Sequence, residues 1–313
     1  MSSYDPIYLR ALSRALSGRS RFTRGGYDGI VATGDLATTG DARDLAVARA
    51  FFDGVPMPGF AGSLADRPHK FDPEKLAILP GNHDRYAGTW LTPTSTQFES
   101  GSHFTPDWTL RPPGSHSDDR AHVNTAFFPV REGVRLAVVS ADFSYRGFPA
   151  FPAGVWRYLG SGVALSSTLA EMSTATKLLV EDGVAVIWAM HYPPSIQEGD
   201  KFLRIENPDD IARSAVRAGV NLILCGHTHR PRVDQLTIGG GRFTGIRVVN
   251  AGTATGAGEG ERSYYDILIP VSKSKARIKI EQVRSIKMIY SRWANRLQYA
   301  GEYGRSAEFC PAP

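Results

Sequence analysis

The sequence predicts an α/β fold, a β-sheet flanked by helices, and three observations carry that reading. Four short, nearly continuous apolar runs have the pattern of strands covered on both faces. Helical patterns lie between them, and strands alternating with helices belong to α/β architecture. The composition, 42% hydrophobic and 21% charged over 313 residues, is that of a globular chain and excludes a mainly disordered chain, a coiled coil or a collagen-like repeat. The length suits one large domain or two small ones.

In chain order, the first element is a short amphipathic helix over 7–16, with Leu9, Leu12 and Leu16 at i, i+3 and i+7. The first apolar run, 28–33, leads into Gly34-Asp35, and a helix follows over 42–52. The second run, 76–79, leads into Pro80-Gly81-Asn82-His83-Asp84. A helix over 166–179 precedes the third run, 184–190, which ends in His191-Tyr192-Pro193-Pro194. A helix over 207–218 precedes the fourth, 220–225, which ends in Gly226-His227-Thr228-His229. Strands are predicted over 242–251, 264–271 and 276–283, the last with clear alternation. Residues 54–75, rich in Pro and Gly, and 86–124, polar and aromatic, read as loops. A loop as long as the second suits a cap over a site. The chain thus divides into a body over 1–284, with 54–75 and 86–124 as loop or cap insertions, and a basic-aromatic tail over 285–313 that reads as helical and loosely attached.

The net charge of +5 is unevenly spread. Residues 273–305 hold nine basic residues against two acidic, a net +7, whereas the rest carries 27 basic against 29 acidic, a net −2. Such a tail attracts phosphates, which makes nucleic acid a candidate partner, although a solvated basic face is the plainer reading. The longest apolar run, 184–190, is far short of a membrane span, and no apolar leader segment follows Met1. Two cysteines, Cys225 and Cys310, build no disulfide framework. A cytoplasmic protein without membrane contact is the expectation, with its oligomeric state open.

The four run ends offer one carboxylate (Asp35), one amide oxygen (Asn82) and three imidazoles (His191, His227, His229). Ligands in open α/β sheets collect at the carboxyl ends of strands. Oxygen and imidazole donors without thiolate suit divalent Mn, Fe, Zn or Co rather than a structural zinc or a calcium site. Cys225 falls on the fourth run itself and reads as core. The spacing of His227 and His229 leaves open whether they share an ion. Gly34, Gly81 and Gly226 each precede a candidate ligand, where backbone turns sharply. Singly, these are ordinary turn residues; as an ordered set they point to ligation.

The motifs GDLATTGD, GNHD, the His191 motif and GHTH, in this order, resemble the calcineurin-like metallophosphoesterase family. The resemblance spans residues 28–254 and includes Asn250-Ala251-Gly252-Thr253. It implies a β-sandwich flanked by helices around a two-metal centre that hydrolyses phosphate monoesters or diesters, hence a small phosphorylated substrate. It further implies that Asp35 bridges both ions, that Asn82, His191 and His227 complete one shell, and that His229 belongs to the other. His83 would approach the phosphate and protonate the leaving oxygen, with Asp84 orienting it. A cyclic-nucleotide phosphodiesterase or a nuclease using the basic tail is a narrower version of the same reading.

The chain departs from the family in one respect. The family's first motif, Asp-x-His, is missing, since the residues two before each of the eight histidines are Arg67, Gly81, Gly101, Gly114, Arg120, Ala189, Cys225 and His227. The expectation is therefore one well-held ion and one incomplete site, with the first strand missing. Three explanations stand open: a start assigned too late, a stand-in ligand among Asp5, His69, His103, His116 and His122, or a homologue that binds phosphate without hydrolysing it.

Overall fold

The computed structural model describes residues 27–37, 42–56, 71–85, 123–128, 135–143, 161–195, 204–239, 241–254, 263–269, 282–291 and 296–303, with Leu9, Leu12, Ser13 and Leu16. Its first strand, β1 (Ile30–Ala32), is followed by helix α1 (Ala42–Asp53) and by β2 (Leu76–Ile78), which pairs with β1 in parallel. Next come β3 (Val123–Phe128), β4 (Leu136–Ala141), β5 (Gly162–Val163), α2 (Ser166–Glu181) and β6 (Ala185–Met190). Then follow β7 (Ile205–Glu206), α3 (Pro208–Ala218), β8 (Leu222–Cys225), β9 (Arg232–Ile238) and β10 (Arg242–Asn250). The C-terminal elements are β11 (Ser263–Leu268), β12 (Gln282–Ser291) and β13 (Arg296–Tyr303).

The main sheet has six strands in the order β3-β4-β6-β8-β10-β9. Its four central strands run parallel, and the antiparallel β3 and β9 close its edges. Parallel strands are stable only when both faces are covered, and side-chain alternation divides β6 accordingly. Ile187 and Ala189 of β6 face one core with Leu222 and Leu224 of β8, α1, β2, Leu9 and Leu12. Val186, Trp188 and Met190 face the other, with Ile223 and Cys225 of β8, Leu169 and Met172 of α2 and Ile211 and Ala215 of α3. Thr176 of α2 ties the second core together, because its hydroxyl accepts the Trp188 Nε1–H at 2.8 Å. Pro208 opens α3 and Gly219, at φ +76°, closes it, which directs the chain into β8.

All four apolar runs form strands, and all three helices predicted over 42–52, 166–179 and 207–218 are present. Leu9, Leu12, Ser13 and Leu16 are helical, and among the described residues no strand precedes Ile30. Strand 242–251 is β10 and strand 264–271 is β11, ending at Leu268. Of 276–283 only the last two residues are described, and they begin β12. The loop over 86–124 gives way to β3 at Val123; residues 86–122 and 57–70 lie outside the described residues, as do the candidate stand-in ligands Asp5, His69, His103, His116 and His122.

The helical reading of the tail is corrected. Residues 282–291 and 296–303 are strands of a three-stranded antiparallel sheet, and the division at 284/285 falls inside β12. Val283, Ile286 and Ile289 are β-branched, and the ladder with β11 pairs the backbone groups that a helix would have paired internally.

Candidate metal centre

Four loops at the carboxyl ends of β1, β2, β6 and β8 meet at one point. His191 Nε2 lies 3.0 Å from Asn82 Oδ1, 3.1 Å from His227 Nδ1 and 3.2 Å from Asp35 Oδ2, and His227 Nδ1 lies 3.2 Å from Asn82 Oδ1. Donors held about 2.0–2.2 Å from a common ion lie about 3.0–3.5 Å from one another, so these spacings are those of a coordination shell.

The protonation pattern makes the same point chemically. His191 Nδ1 donates its hydrogen to the Thr33 carbonyl at 2.7 Å, so in the neutral ring Nε2 is a bare lone pair. That lone pair faces the oxygens of Asn82 and Asp35, and Asp35 Oδ2 is a buried oxygen that accepts no hydrogen bond. Lone pairs turned on one another in a buried place require a positive charge between them. A divalent ion supplies it, and the donor set fits one. Without an ion, a proton on Nε2 is the substitute. Burial disfavours the His191 imidazolium, but the Asp35 charge and hydrogen bond outweigh burial and raise its pKa. Burial likewise opposes ionisation of Asp35, yet His191, His229 and His83 hold its carboxyl well below the usual range.

The backbone is shaped to bring these atoms together. Asp35, His227 and His229 occupy the left-handed region at φ +56°, +73° and +56°. Each costs about 1–3 kcal/mol for a non-glycine residue, and such strain collects at functional sites. The Asp35 and Asn82 loops are pressed together so closely that a Cβ on Gly81 would stand 2.1 Å from Asp35 Oδ1. Asp35 Oδ1 accepts the His83 backbone N–H at 3.1 Å. Asp84, fully buried, binds the same two loops by accepting the backbone N–H of Gly81 at 2.8 Å and of Ala37 at 2.7 Å. Burial and the neighbouring Asp35 charge push its pKa up to about 7 against those bonds.

Of the sequence-predicted ligands, the structure therefore brings Asp35, Asn82, His191 and His227 to one point. His229 stands outside it: its Nε2 lies 3.8 Å from Asp35 Oδ2, and its side chain is 57% exposed against 2% for His191. His83 is half-buried beside Asn82, and the contacts of Asp84 run to backbone. Cys225 is buried in the core between sheet and helices, where burial, and then the charge of Asp234, hold its thiol pKa well above the ordinary value. Sequence reasoning missed the Thr33 carbonyl and the backbone role of Asp84. A carbonyl leaves no trace in side-chain identity, and an aspartate after a motif histidine looks the same whether it orients the ring or clamps a loop.

Compared with known proteins, the chain matches the calcineurin-like phosphoesterase family over residues 8–231. No curated protein sequence matches it. Among solved structures it is similar to a dimetal phosphatase from Danio rerio, at 12% identity and a TM-score of 0.41, covering 68% of each chain. It is also similar to GAP50, the anchor in the inner membrane complex of Plasmodium, at 12% identity and a TM-score of 0.33, covering 72% of this chain and 65% of that one.

Proposed function

The chain belongs to the calcineurin-like phosphoesterase family, and from that premise we propose that it hydrolyses a phosphate ester, diester or monoester, with the help of a divalent ion held by Asp35, Asn82, His191 and His227. The observation that carries this reading is the convergence of four donor atoms, the orphaned oxygen of Asp35 among them. When bound, the ion polarises the phosphoryl oxygen and lowers the pKa of a water molecule near it.

The chain's own groups do the rest. The Thr33 carbonyl holds His191 in the tautomer that presents Nε2. The His83 backbone N–H fixes Asp35 Oδ1 and leaves Oδ2 for the ion. Asp84 keeps the Asp35 and Asn82 loops at their spacing. The His83 imidazole, next in the chain to Asn82, delivers the proton to the leaving oxygen. His229, whose Nε2 lies 3.8 Å from Asp35 Oδ2 and which among the described residues forms no other close carboxylate pair, is a weak second position. One ion per chain is thus the expected content.

Hydrolysis of a generic aryl phosphodiester with added Mn²⁺, together with metal content after dialysis, tests this. The expected result is one tightly held equivalent, and hydrolysis that Asn82→Ala lowers by more than the roughly 10–100-fold that loss of an outer partner costs. Hydrolysis insensitive to that substitution overturns the reading, and two tightly held equivalents overturn the count. A second reading, phosphate binding without turnover, is favoured by the poor second position. It would show as metal uptake and phosphate affinity with no hydrolysis.

A further inference from the structure

We propose that Asn250 is a positioning residue for the metal centre, acting through Thr228 to hold the His227–Arg230 turn in the strained shape that aims both histidines. The inference rests on the metal reading above and names a residue outside its ligand set. Asn250 is the last residue of β10, fully buried, and sits opposite Cys225 in the parallel ladder with β8. Its side chain reaches past the strand ends into the turn. Nδ2–H donates to Thr228 Oγ1 in a short contact and to the Arg230 carbonyl at 2.9 Å. Because a carbonyl only accepts, the second bond fixes which end of the amide is the nitrogen.

Thr228 stands between the two left-handed histidines, His227 at φ +73° and His229 at φ +56°. With both flanking residues in an unfavourable region, the turn needs an anchor outside itself. Within the turn, Thr228 N–H donates to the Gly226 carbonyl at 2.9 Å, and the Thr228 hydroxyl donates to the Arg230 carbonyl at 3.4 Å. Asn250 grips the turn at Thr228 and at Arg230, either side of His229. The other end of the amide shows why Asn stands here. Asn250 Oδ1 is buried without a hydrogen-bond partner, which is costly, so the side chain's worth lies in the two bonds it donates. They hold His227 Nδ1 at 3.1 Å from His191 Nε2 and keep His229 beside Asp35.

The test compares Mn²⁺ dissociation constants by calorimetry for the wild-type chain, Asn250→Ala, Thr228→Val, Thr228→Ser and Thr176→Ala. Thr176 serves as the structural control, since it is buried and bonded to Trp188 in the core facing the helices, away from the site. Asn250→Ala and Thr228→Val should each weaken Mn²⁺ binding roughly 10–100-fold, Thr228→Ser should restore it, and the double variant should be no worse than Asn250→Ala alone. Thr176→Ala should lower the melting temperature without changing the dissociation constant. Unchanged affinity in Asn250→Ala and Thr228→Val overturns the inference. Hydrogen exchange over 226–231 in the metal-free chain is an independent measurement. It should rise in Asn250→Ala and not in Thr176→Ala, and equal exchange overturns the inference. A wild-type chain that takes up no Mn²⁺ defeats the metal reading, and the exchange result then decides the role of Asn250 alone.

Discussion

His191 and His227 follow the strands of a six-stranded sheet, whereas Asp35 and Asn82 follow two strands of three residues each. The sheet half is covered on both faces: every residue of β6 and β8 is buried, and two separate cores lock the strands in place. In the other half, all three residues of β1 are only half-buried, and β1 and β2 pair only with each other among the described strands. Ala77, Ile78 and Leu79 join the core shared with β6 and β8, and at the loops above it polar bonds set the register: Asp84 to the Gly81 and Ala37 N–H groups, His83 N–H to Asp35, and His191 to the Thr33 carbonyl across the gap. Each half supplies two of the four donors. A bound ion is therefore a cross-link between a preorganised half and one that is ordered through its neighbours.

The largest effect should come from forcing the halves apart. In Gly81→Ala the new Cβ would stand 2.1 Å from Asp35 Oδ1 and 2.5 Å from Asp35 N, backbone that cannot step aside without displacing the ligand. Gly183→Ala is the fair control, because Gly183 has a positive φ of +74° but nothing within 4 Å of its added Cβ. The control should lose roughly 1–2 kcal/mol of stability and keep its metal, while Gly81→Ala should lose metal affinity by roughly 100-fold or more. Equal metal dissociation constants for the two variants would show that the loops are not in fact jammed together.

A smaller but more discriminating effect follows from metal removal. At a free metal concentration 100 times the dissociation constant, binding stabilises the chain by about 2.7 kcal/mol, or about 2–4 °C in melting temperature for each kcal/mol at this size. The loss on adding a chelator should be uneven. Hydrogen exchange should rise over 30–37 and 76–85 and change little over 185–190 and 222–225. A uniform rise would mean that the two halves are equally self-supporting and would erase the contrast between them.

The same contrast explains what was legible in the sequence. The runs 184–190 and 220–225 read as buried strands because continuous Val, Ile, Leu and Trp leave no other economical reading, and both form strands of the central sheet. The meeting point was legible too, since Asp35, Asn82, His191 and His227 each follow an apolar run and their side chains converge in space. What local pattern did not show is what tertiary pairing decides. The edge strand β9, half exposed, lacks a continuous apolar run, and β12 and β13 take their form from ladders, β12 with β11 and β13 with β12. Nor does sequence reveal that Asn250 reaches back to Thr228, 22 positions earlier, because that contact exists only once β8 and β10 lie side by side.

The smallest effect expected is the pH dependence of the metal-free chain, and its sign follows from three groups at the junction of the halves. His191 has a raised pKa, so its contribution to stability is fully present below the unfolded value of 6.5 and fades as pH rises through the folded one. Asp84, pushed up from 3.8 to about 7, keeps a proton in the folded chain that the unfolded chain has already released, so stability falls as pH climbs from about 4 to about 7. Asp35 is lowered, so its contribution is present above 3.8 and is lost only in stronger acid. Above pH 4 the two raised groups act in the same direction, and the metal-free chain should melt higher at pH 5 than at pH 8. Asp84→Asn removes the lower part of that decline and leaves the part above 6.5 that belongs to His191. The loaded chain should behave oppositely, because an ion needs Nε2 of His191 free and displaces the proton held there, so metal affinity should rise with pH and binding should release protons below the raised His191 value. Thermal melts in chelator at pH 5, 6, 7 and 8, paired with calorimetric metal titrations in two buffers of different ionisation enthalpy, measure both. A metal-free melting temperature that climbs between pH 5 and 8 would mean that the charge between the facing lone pairs is supplied by something other than the His191 proton.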